Sequence, residues 1–145
     1  MAKRNHLEDD EQKEIVFRLK TDAKYRTIRA LWSFDSTGSI KVSAWKAKQL
    51  KLLGRRTGQP DFHCPGLFIS KHGSIYAGIY IEFKANNNTP YKKNGELYAN
   101  DHLKTQSDYL ELLKSHGCYT SFAVGVKGFF KLLDRFLDNH KLRKR

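Results

Sequence analysis

The chain has 145 residues, of which 39% are hydrophobic and 29% charged, which predicts a folded domain with one core and excludes a disordered chain. Its net charge of +12, from 27 Lys and Arg against 15 Asp and Glu, predicts a partner with dense negative charge. There is no apolar run long enough for a membrane span and no hydrophobic signal core in Met1–His6. We therefore expect a cytoplasmic protein with a single domain over 1–145 and flexible tails at 1–6 and 139–145.

The first predicted element is a helix over about Leu7–Leu19 that carries an unusual polar stripe. Four residues share one side of it at helical spacing: Glu8, Gln12, Ile15 and Leu19. A carboxylate on the buried edge of a helix costs about several kcal/mol unless a cation or metal partners it. Glu8 and the adjacent Glu11 are therefore both candidate site residues. The alternative is that these acids complement the dipole at the helix N-terminus.

A strand, a turn and a second helix are predicted next. Period-two alternation predicts a strand over Thr27–Phe34, followed by a turn or phosphate-approach loop over Asp35–Ser39. A helix is predicted over Lys41–Leu53 and ends at Gly54. Its expected inward stripe consists of Val42, Trp45, Gln49, Leu52 and Leu53.

The same region holds an uninterrupted run of positive charge. No acidic residue lies between Asp35 and Asp61, while the run contains Lys41, Lys46, Lys48, Lys51, Arg55 and Arg56. We interpret it as a surface that binds the DNA backbone, the alternative being a solvated face. The basic segment Lys141–Arg145 is interpreted as a solubilising tail.

Two strands, Asp61–Ser70 and Ser74–Lys84, are predicted to form a hairpin. Side chains alternate along a strand, so Glu82 and Lys84 point the same way. If Asp61 opens the neighbouring strand, two carboxylates and one ammonium group converge at one end of the sheet. Two carboxylates can hold Mg²⁺, and a lysine beside the metal can orient a water molecule. This pattern indicates a metal-dependent nuclease.

The segment Asn86–Asn100 is polar and predicted to form a protruding loop or small ribbon, because Asn94-Gly95 is a strong hairpin signal. It carries Lys92 and Lys93 as further candidate DNA contacts. A helix follows over Asp101–Ser115, with an apolar stripe at Leu103, Gln106, Leu110 and Leu113. Gln106 on that stripe either bonds buried backbone or faces the site.

The chain ends with a predicted strand over Cys118–Val126 and an amphipathic helix over Phe129–Leu137. Strands separated by helices in this order predict an α/β sheet covered on both faces. The two cysteines are expected to be buried reduced thiols. The six histidines are too scattered for a metal motif, and His63 is interpreted as a bystander near Asp61.

Three motifs together resemble the VRR-NUC family of the PD-(D/E)xK nuclease superfamily. They are Gly54-Arg-Arg-Thr-Gly58-Gln-Pro60-Asp61, Glu82-Phe83-Lys84 and Gln106. The resemblance covers nearly the whole chain and implies a restriction-endonuclease-like mixed sheet flanked by helices, with dependence on Mg²⁺ or Mn²⁺. It implies that Asp61, Glu82 and the Phe83 carbonyl bind the metal and that Lys84 positions or activates the attacking water.

The resemblance also bears on the two helices. The family has a glutamate four residues before a glutamine in its N-terminal helix, which matches Glu8 and Gln12 and favours Glu8 over Glu11 as a further metal-binding and catalytic residue. Gln106 matches the family's downstream glutamine. Asp35 stands where many relatives have an asparagine-glycine turn, and is either an extra polar contact or a turn residue. The loop after Lys84 is longer than in minimal relatives and could reach DNA or a second subunit.

Stand-alone members of this family resemble phage or bacterial dimers that cut branched DNA. The implied activity is therefore a Mg²⁺-dependent endodeoxyribonuclease, specifically a homodimeric Holliday junction resolvase. Its expected DNA contacts are Lys41, Lys48, Lys51, Arg55, Arg56, Lys92 and Lys93. The alternatives are a sequence-specific or nicking nuclease, a non-catalytic DNA-binding or packaging protein, and an RNA endonuclease.

Overall fold

The computed structural model describes residues 2–35, 43–54, 56 and 58–144, with the backbone alone for 2–6. The helices are α1 (Ala2–Thr21), a 3₁₀ helix (Ala23–Ile28), α2 (Ala44–Leu52), α3 (Asp101–Ser115) and α4 (Gly125–Asn139). The strands are β1 (Ser33–Phe34), β2 (Phe62–Ser70), β3 (Ile75–Lys84), β4 (Tyr119–Val124) and β5 (His140–Leu142). The predicted first, third and last helices, the hairpin and the strand after α3 are therefore confirmed.

One mixed sheet of five strands organises the molecule. Its order is β1-β2-β3-β4, with β2 and β3 antiparallel and β3 and β4 parallel. Two short strands share the outer edge of β2: β1 pairs beside His63, and β5 pairs beside Ser70. A register shift between Pro65 and Phe68 interrupts β2. It lies between the part of β2 that pairs with β1 and the part that pairs with β5.

Helices cover both faces of this sheet, as the sequence predicted. α1 and α4 pack on one face around a core of aromatic and branched side chains that includes Ile15, Leu19, Ile81, Phe83, Phe129 and Leu133. α3 packs on the other face, where the polar side chains of β3 project. This arrangement is the restriction-endonuclease-like α/β fold expected from the motifs. None of the described helices is both long enough and apolar enough to cross a membrane.

The strand predicted over Thr27–Phe34 is wrong for most of its length. A 3₁₀ helix occupies its beginning, and its N-cap is the Asp22 side chain, which accepts a hydrogen bond from the Lys24 N–H. The buried residues are Tyr25 and Ile28, three apart, which matches the three-residue turn of this helix. The alternation of apolar residues over this segment therefore did not indicate a strand, and only Ser33–Phe34 of it is one.

The inward stripe predicted for the second helix is also wrong. α2 begins after Ser43, whose hydroxyl accepts a hydrogen bond from the Lys46 N–H, and it contains no buried residue. Trp45, Leu52 and Leu53 are 69%, 72% and 82% exposed. The physical reason is that α1, α4 and α3 already cover the sheet. Val42 of the predicted stripe lies outside the described residues.

The two chain ends predicted as flexible tails have regular backbone structure where they are described. At the C-terminal end, His140–Leu142 pairs with β2, and the Arg143 N–H donates a hydrogen bond of 2.8 Å to the Leu67 carbonyl. This pairing satisfies backbone groups that an open strand edge would leave free. At the other end, the backbone is helical from Ala2.

The ribbon predicted at Asn94-Gly95 is present as a bridge between Tyr91 and Leu97.

Candidate active site

The hairpin brings Asp61, Glu82 and Lys84 together at one end of the sheet. Asp61 directly precedes β2, and its Oδ2 accepts a hydrogen bond of 3.1 Å from the Phe83 N–H of β3. Phe83 points into the core, so its neighbours Glu82 and Lys84 project from the opposite face. Lys84 Nζ lies 3.3 Å from Glu82 Oε1, and both side chains are buried. The convergence predicted from strand alternation is therefore present.

Gln106 of α3 closes the site from above the sheet. Its side-chain amide donates a hydrogen bond to Glu82 Oε1, and the residue is 5% exposed. The Asn100 side chain caps the start of α3 by accepting hydrogen bonds from the N–H groups of His102 and Leu103. Of the two roles considered for Gln106, the structure therefore shows the one in which it faces the site.

Burial controls the charge of the two acids on the sheet. It raises the pKa of Glu82 to about 7, although the Lys84 ammonium opposes the shift. Burial also raises the pKa of Asp61 well above its ordinary value, and the neighbouring Glu82 charge adds to this. The negative charges of the two carboxyl groups also repel each other. Without a cation between them, such a pair retains a proton near neutral pH.

Both candidate acids of α1 contact the backbone that follows Lys84, in different ways. Burial raises the pKa of Glu8, while the Lys84 charge and the Ala85 backbone lower it. Both oxygens of Glu11 accept from the Asn86 N–H, at 3.3 and 3.1 Å. Glu8 therefore lies within the electrostatic reach of the site, whereas Glu11 holds α1 against the end of β3.

Two buried oxygens at the site have no hydrogen-bond partner among the described residues. They are Oε2 of Glu82 and Oε1 of Gln106, and they belong to side chains already in contact. Buried acceptors without partners are rare and need an explanation. Carboxylate and amide oxygens are ligands that suit Mg²⁺. The donor set of Asp61 and Glu82 therefore fits a hard divalent cation.

No group of three or more His, Cys, Asp or Glu side chains within the described part of the chain is arranged to hold a metal ion alone. Mg²⁺ is usually bound by one or two carboxylates and keeps its remaining positions for water and substrate phosphates.

The turn before Asp61 is fixed by close packing against α3. Gly58 has φ +82°, and a Cβ placed there would lie 2.9 Å from the Thr105 carbonyl oxygen and from Thr105 Cγ2. On the other side, the Asp35 N–H donates a hydrogen bond of 2.7 Å to the Asp61 carbonyl. Asp35 thus contacts the site through its backbone, and the loop predicted over 36–39 lies outside the described residues.

The candidate DNA-binding residues are on the surface wherever they are described. Exposed side chains are those of Lys48, Lys51, Arg56, Lys92 and Lys93. Lys41 and Arg55 lie outside the described residues.

Sequence reasoning missed His102, which lies close enough to Lys84 for that charge to lower its pKa, in addition to burial. The available signal was its position four residues before Gln106, which places both on one side of α3. For His63, which was interpreted as a bystander, the structure shows two contacts. Its Nε2 contacts the Pro60 carbonyl, and its ring lies 5.6 Å from that of Tyr80.

A solved structure described as "VRR_NUC domain protein" is similar to this chain. The match has a TM-score of 0.65 and 20% sequence identity, and it covers 92% of this chain and 89% of the other. No protein-family model and no curated protein matches the sequence. At this identity the likeness establishes architecture, and the chain therefore has the fold of a VRR_NUC domain protein.

Proposed function

We propose that the protein is a metal-dependent nuclease that hydrolyses phosphodiester bonds in DNA. The observation that supports this most directly is the buried contact of Glu82 with Lys84 and Gln106, next to Asp61, with two acceptor oxygens left over. A structural ion pair would have no use for unpaired buried acceptors and a second carboxyl group. In a chain with this fold, a phosphodiester and a divalent cation account for all of these features.

Asp61, Glu82 and the Phe83 carbonyl would hold the cation, with Glu8 contributing from α1. When bound, Mg²⁺ would supply charge neutralisation at the phosphate and lower the pKa of a coordinated water. Lys84 would hold and orient the attacking water and stabilise charge that develops on the phosphate. Gln106 fixes the Glu82 carboxylate through its amide, which leaves the other carboxylate oxygen free for the metal.

The proposed substrate is branched DNA, with the Holliday junction as the leading candidate. The exposed cations offer contacts to phosphate, and nothing in the sequence resembles a base-reading motif. Recognition by shape would suit a junction. Paired cuts on a junction would require two sites, so we also propose a twofold homodimer.

The test is cleavage of four-way junctions, flaps, plain duplex, single strands and RNA, with and without Mg²⁺. Asp61→Ala, Glu82→Ala and Lys84→Ala should each abolish Mg²⁺-dependent cleavage and leave DNA binding largely intact. Glu111→Gln, an exposed acid on α3, is the matched control and should cleave normally. Retained cleavage by the Glu82 variant would reject the site.

The same panel separates the alternatives. Symmetric nicking confined to junctions, together with a dimer mass in light scattering, supports the resolvase proposal. Equal attack on plain duplex would reject it in favour of a general or sequence-specific nuclease. Cleavage of RNA alone would reject DNA as the substrate.

A further inference from the structure

The surface of α2 has an apolar strip with no partner in the described chain. Trp45 and Leu52 lie on one side of this short helix and are 69% and 72% exposed, and Leu53 at its C-cap is 82% exposed. Single apolar residues on a surface are ordinary, but three large ones on one helix indicate an interaction site.

The strip is not a misplaced part of the core. The half-buried residues of α2 are Ala47, Gln49 and Leu50, and none of its residues is buried. Ser43 caps the helix, and the Leu53 N–H bonds back to the Gln49 carbonyl. Both helix ends are thus satisfied while the large apolar side chains face outward.

Positive charge borders the strip. Lys46, Lys48 and Lys51 are exposed on the same helix, and residues 36–60 contain no acid. A second copy of this chain docked here through its own α2 would bring two cationic helices together, which is unfavourable. A polyanion that also offers a flat apolar surface would satisfy both the lysines and the tryptophan.

Nucleic acid with unpaired bases has both properties. The bases of a duplex stack on one another, whereas an unpaired base has a free face that can stack on an indole. In sequence, α2 ends at Leu52, shortly before the Gly58 turn that packs on α3 and leads to Asp61, so it is adjacent along the chain to the proposed cleavage site.

We propose that α2 binds unpaired nucleotides, with a base stacked on Trp45 and the flanking phosphates contacted by Lys46, Lys48 and Lys51. This inference rests on the proposed nuclease function and deepens it. It defines the substrate as DNA with single-stranded nucleotides beside the cleaved bond, such as a flap or an opened junction.

The test uses fluorescence, because the chain has two tryptophans. In Trp32→Phe, all tryptophan emission comes from Trp45. If Trp32→Phe folds poorly, the Trp45 emission is obtained instead by subtracting the emission of Trp45→Phe from that of the wild type. A flap DNA and a fully paired duplex of equal length are titrated in EDTA, so that binding is measured without cleavage. We expect Trp45 emission to be quenched by the flap and little changed by the duplex.

Affinity supplies the second readout. Trp45→Ala should weaken flap binding roughly 5- to 100-fold, with a much smaller loss for duplex, while Trp45→Phe should retain most of the affinity. Phe17→Ala, which removes an aromatic side chain that is 66% exposed on α1, is the matched control and should bind normally.

Three results would overturn the inference: unchanged Trp45 emission at saturating flap, conversion of a dimer to a monomer by Trp45→Ala with flap affinity unchanged, or equal quenching by anionic lipid vesicles. The first would leave the nuclease proposal standing if wild-type cleavage persists. If the flap quenches Trp45 emission but the protein cleaves no substrate, the binding role of α2 is supported and the nuclease proposal is rejected.

Discussion

Glu82 is the residue whose environment is hardest to explain by stability alone. It is 3% exposed, it contacts Lys84 and Gln106, and one of its oxygens has no partner among the described residues. Burial of such a group costs free energy that a neutral side chain would not. Residues of this kind are common at functional sites, where the cost is recovered when the ligand binds.

The first prediction concerns Glu82→Gln in metal-free protein. The folded-state pKa of Glu82 is about 7, above its ordinary value of 4.5, so the native state binds the extra proton. Its stabilising contribution is therefore complete below pH 4.5 and lost as the pH rises to about 7. Wild-type stability should fall by about 2–3 kcal/mol across this range, and Glu82→Gln should show a flatter profile. Urea unfolding in EDTA at pH 5 and pH 8 measures the difference.

Magnesium supplies the complement to this measurement. At pH 8, Mg²⁺ should raise the unfolding midpoint of the wild type and leave that of Glu82→Gln unchanged, because the variant lacks the second carboxylate. An equal Mg²⁺ effect on both proteins would show that the cation binds elsewhere.

The second prediction separates Glu8 from Glu11. Glu8→Gln should lower cleavage strongly with little loss of stability, since a half-buried acid with a raised pKa is replaced by a neutral isostere. Glu11→Ala should instead lower stability by about 0.5–1.5 kcal/mol, because the Asn86 N–H loses its acceptor. Thermal unfolding and cleavage rates of both variants decide the assignment. Strong loss of cleavage in Glu11→Ala at unchanged stability would reverse it.

At the scale of elements, the site depends on how α3 and the turn before β2 fit together. α3 contributes Gln106 to Glu82 and Thr105 to the Gly58 turn from adjacent positions. The turn therefore sets the position of Asp61 relative to the helix that holds Glu82. A change in this packing should move two parts of the site at once.

The third prediction compares two glycines in this region. Gly58→Ala adds a Cβ 2.9 Å from Thr105 and also imposes φ +82° on a side-chain-bearing residue, so it should cost about 2–4 kcal/mol. Gly54→Ala imposes a similar strain at φ +101° with nothing within 4 Å, and it should cost about 1–2 kcal/mol. Denaturant unfolding gives both values. Equal costs would mean that the Thr105 contact is not tight in solution.

At the scale of the whole molecule, the chain carries a net charge of +12, and among the described residues most of this excess is not used in ion pairs that stabilise the fold. The described ion pairs are mostly exposed and contribute little to stability. The exposed cations ahead of the site would instead release counterions when they contact a DNA backbone.

The fourth prediction uses that charge. Lys48→Ala, Lys51→Ala and Arg56→Ala should each reduce the slope of log K against log salt by about 0.9 for duplex DNA. Lys131→Ala, an exposed cation on α4 behind the opposite sheet face, should leave the slope unchanged. Binding measured by anisotropy across a salt series tests this. A uniform reduction in all four variants would indicate binding without a defined surface.

Local patterns in the sequence were sufficient for the hairpin, α3, α4 and the position of the site. Strand alternation placed Glu82 beside Lys84, and helical spacing placed Gln106 on the stripe that meets them. These features depend on neighbours two to four residues apart, which the sequence displays directly. The motif resemblance named the fold for the same reason, since its residues are those that the two strands and the helix bring together.

Other features were decided by packing between distant segments. The sequence did not show that α1 and α4 occupy the face that α2 was expected to cover, so Trp45 was placed inside when it lies outside. It did not show that β2 has a free edge, which takes up His140–Leu142. Glu8 and Glu11 were distinguished only by their surroundings at the end of the sheet, where the Lys84 charge acts on Glu8 and the Asn86 N–H bonds to Glu11. The chemistry of a residue and the pattern of its near neighbours can be recognised from the sequence. Which segment occupies a sheet face or pairs with a free edge depends on packing between distant segments, which the sequence does not display.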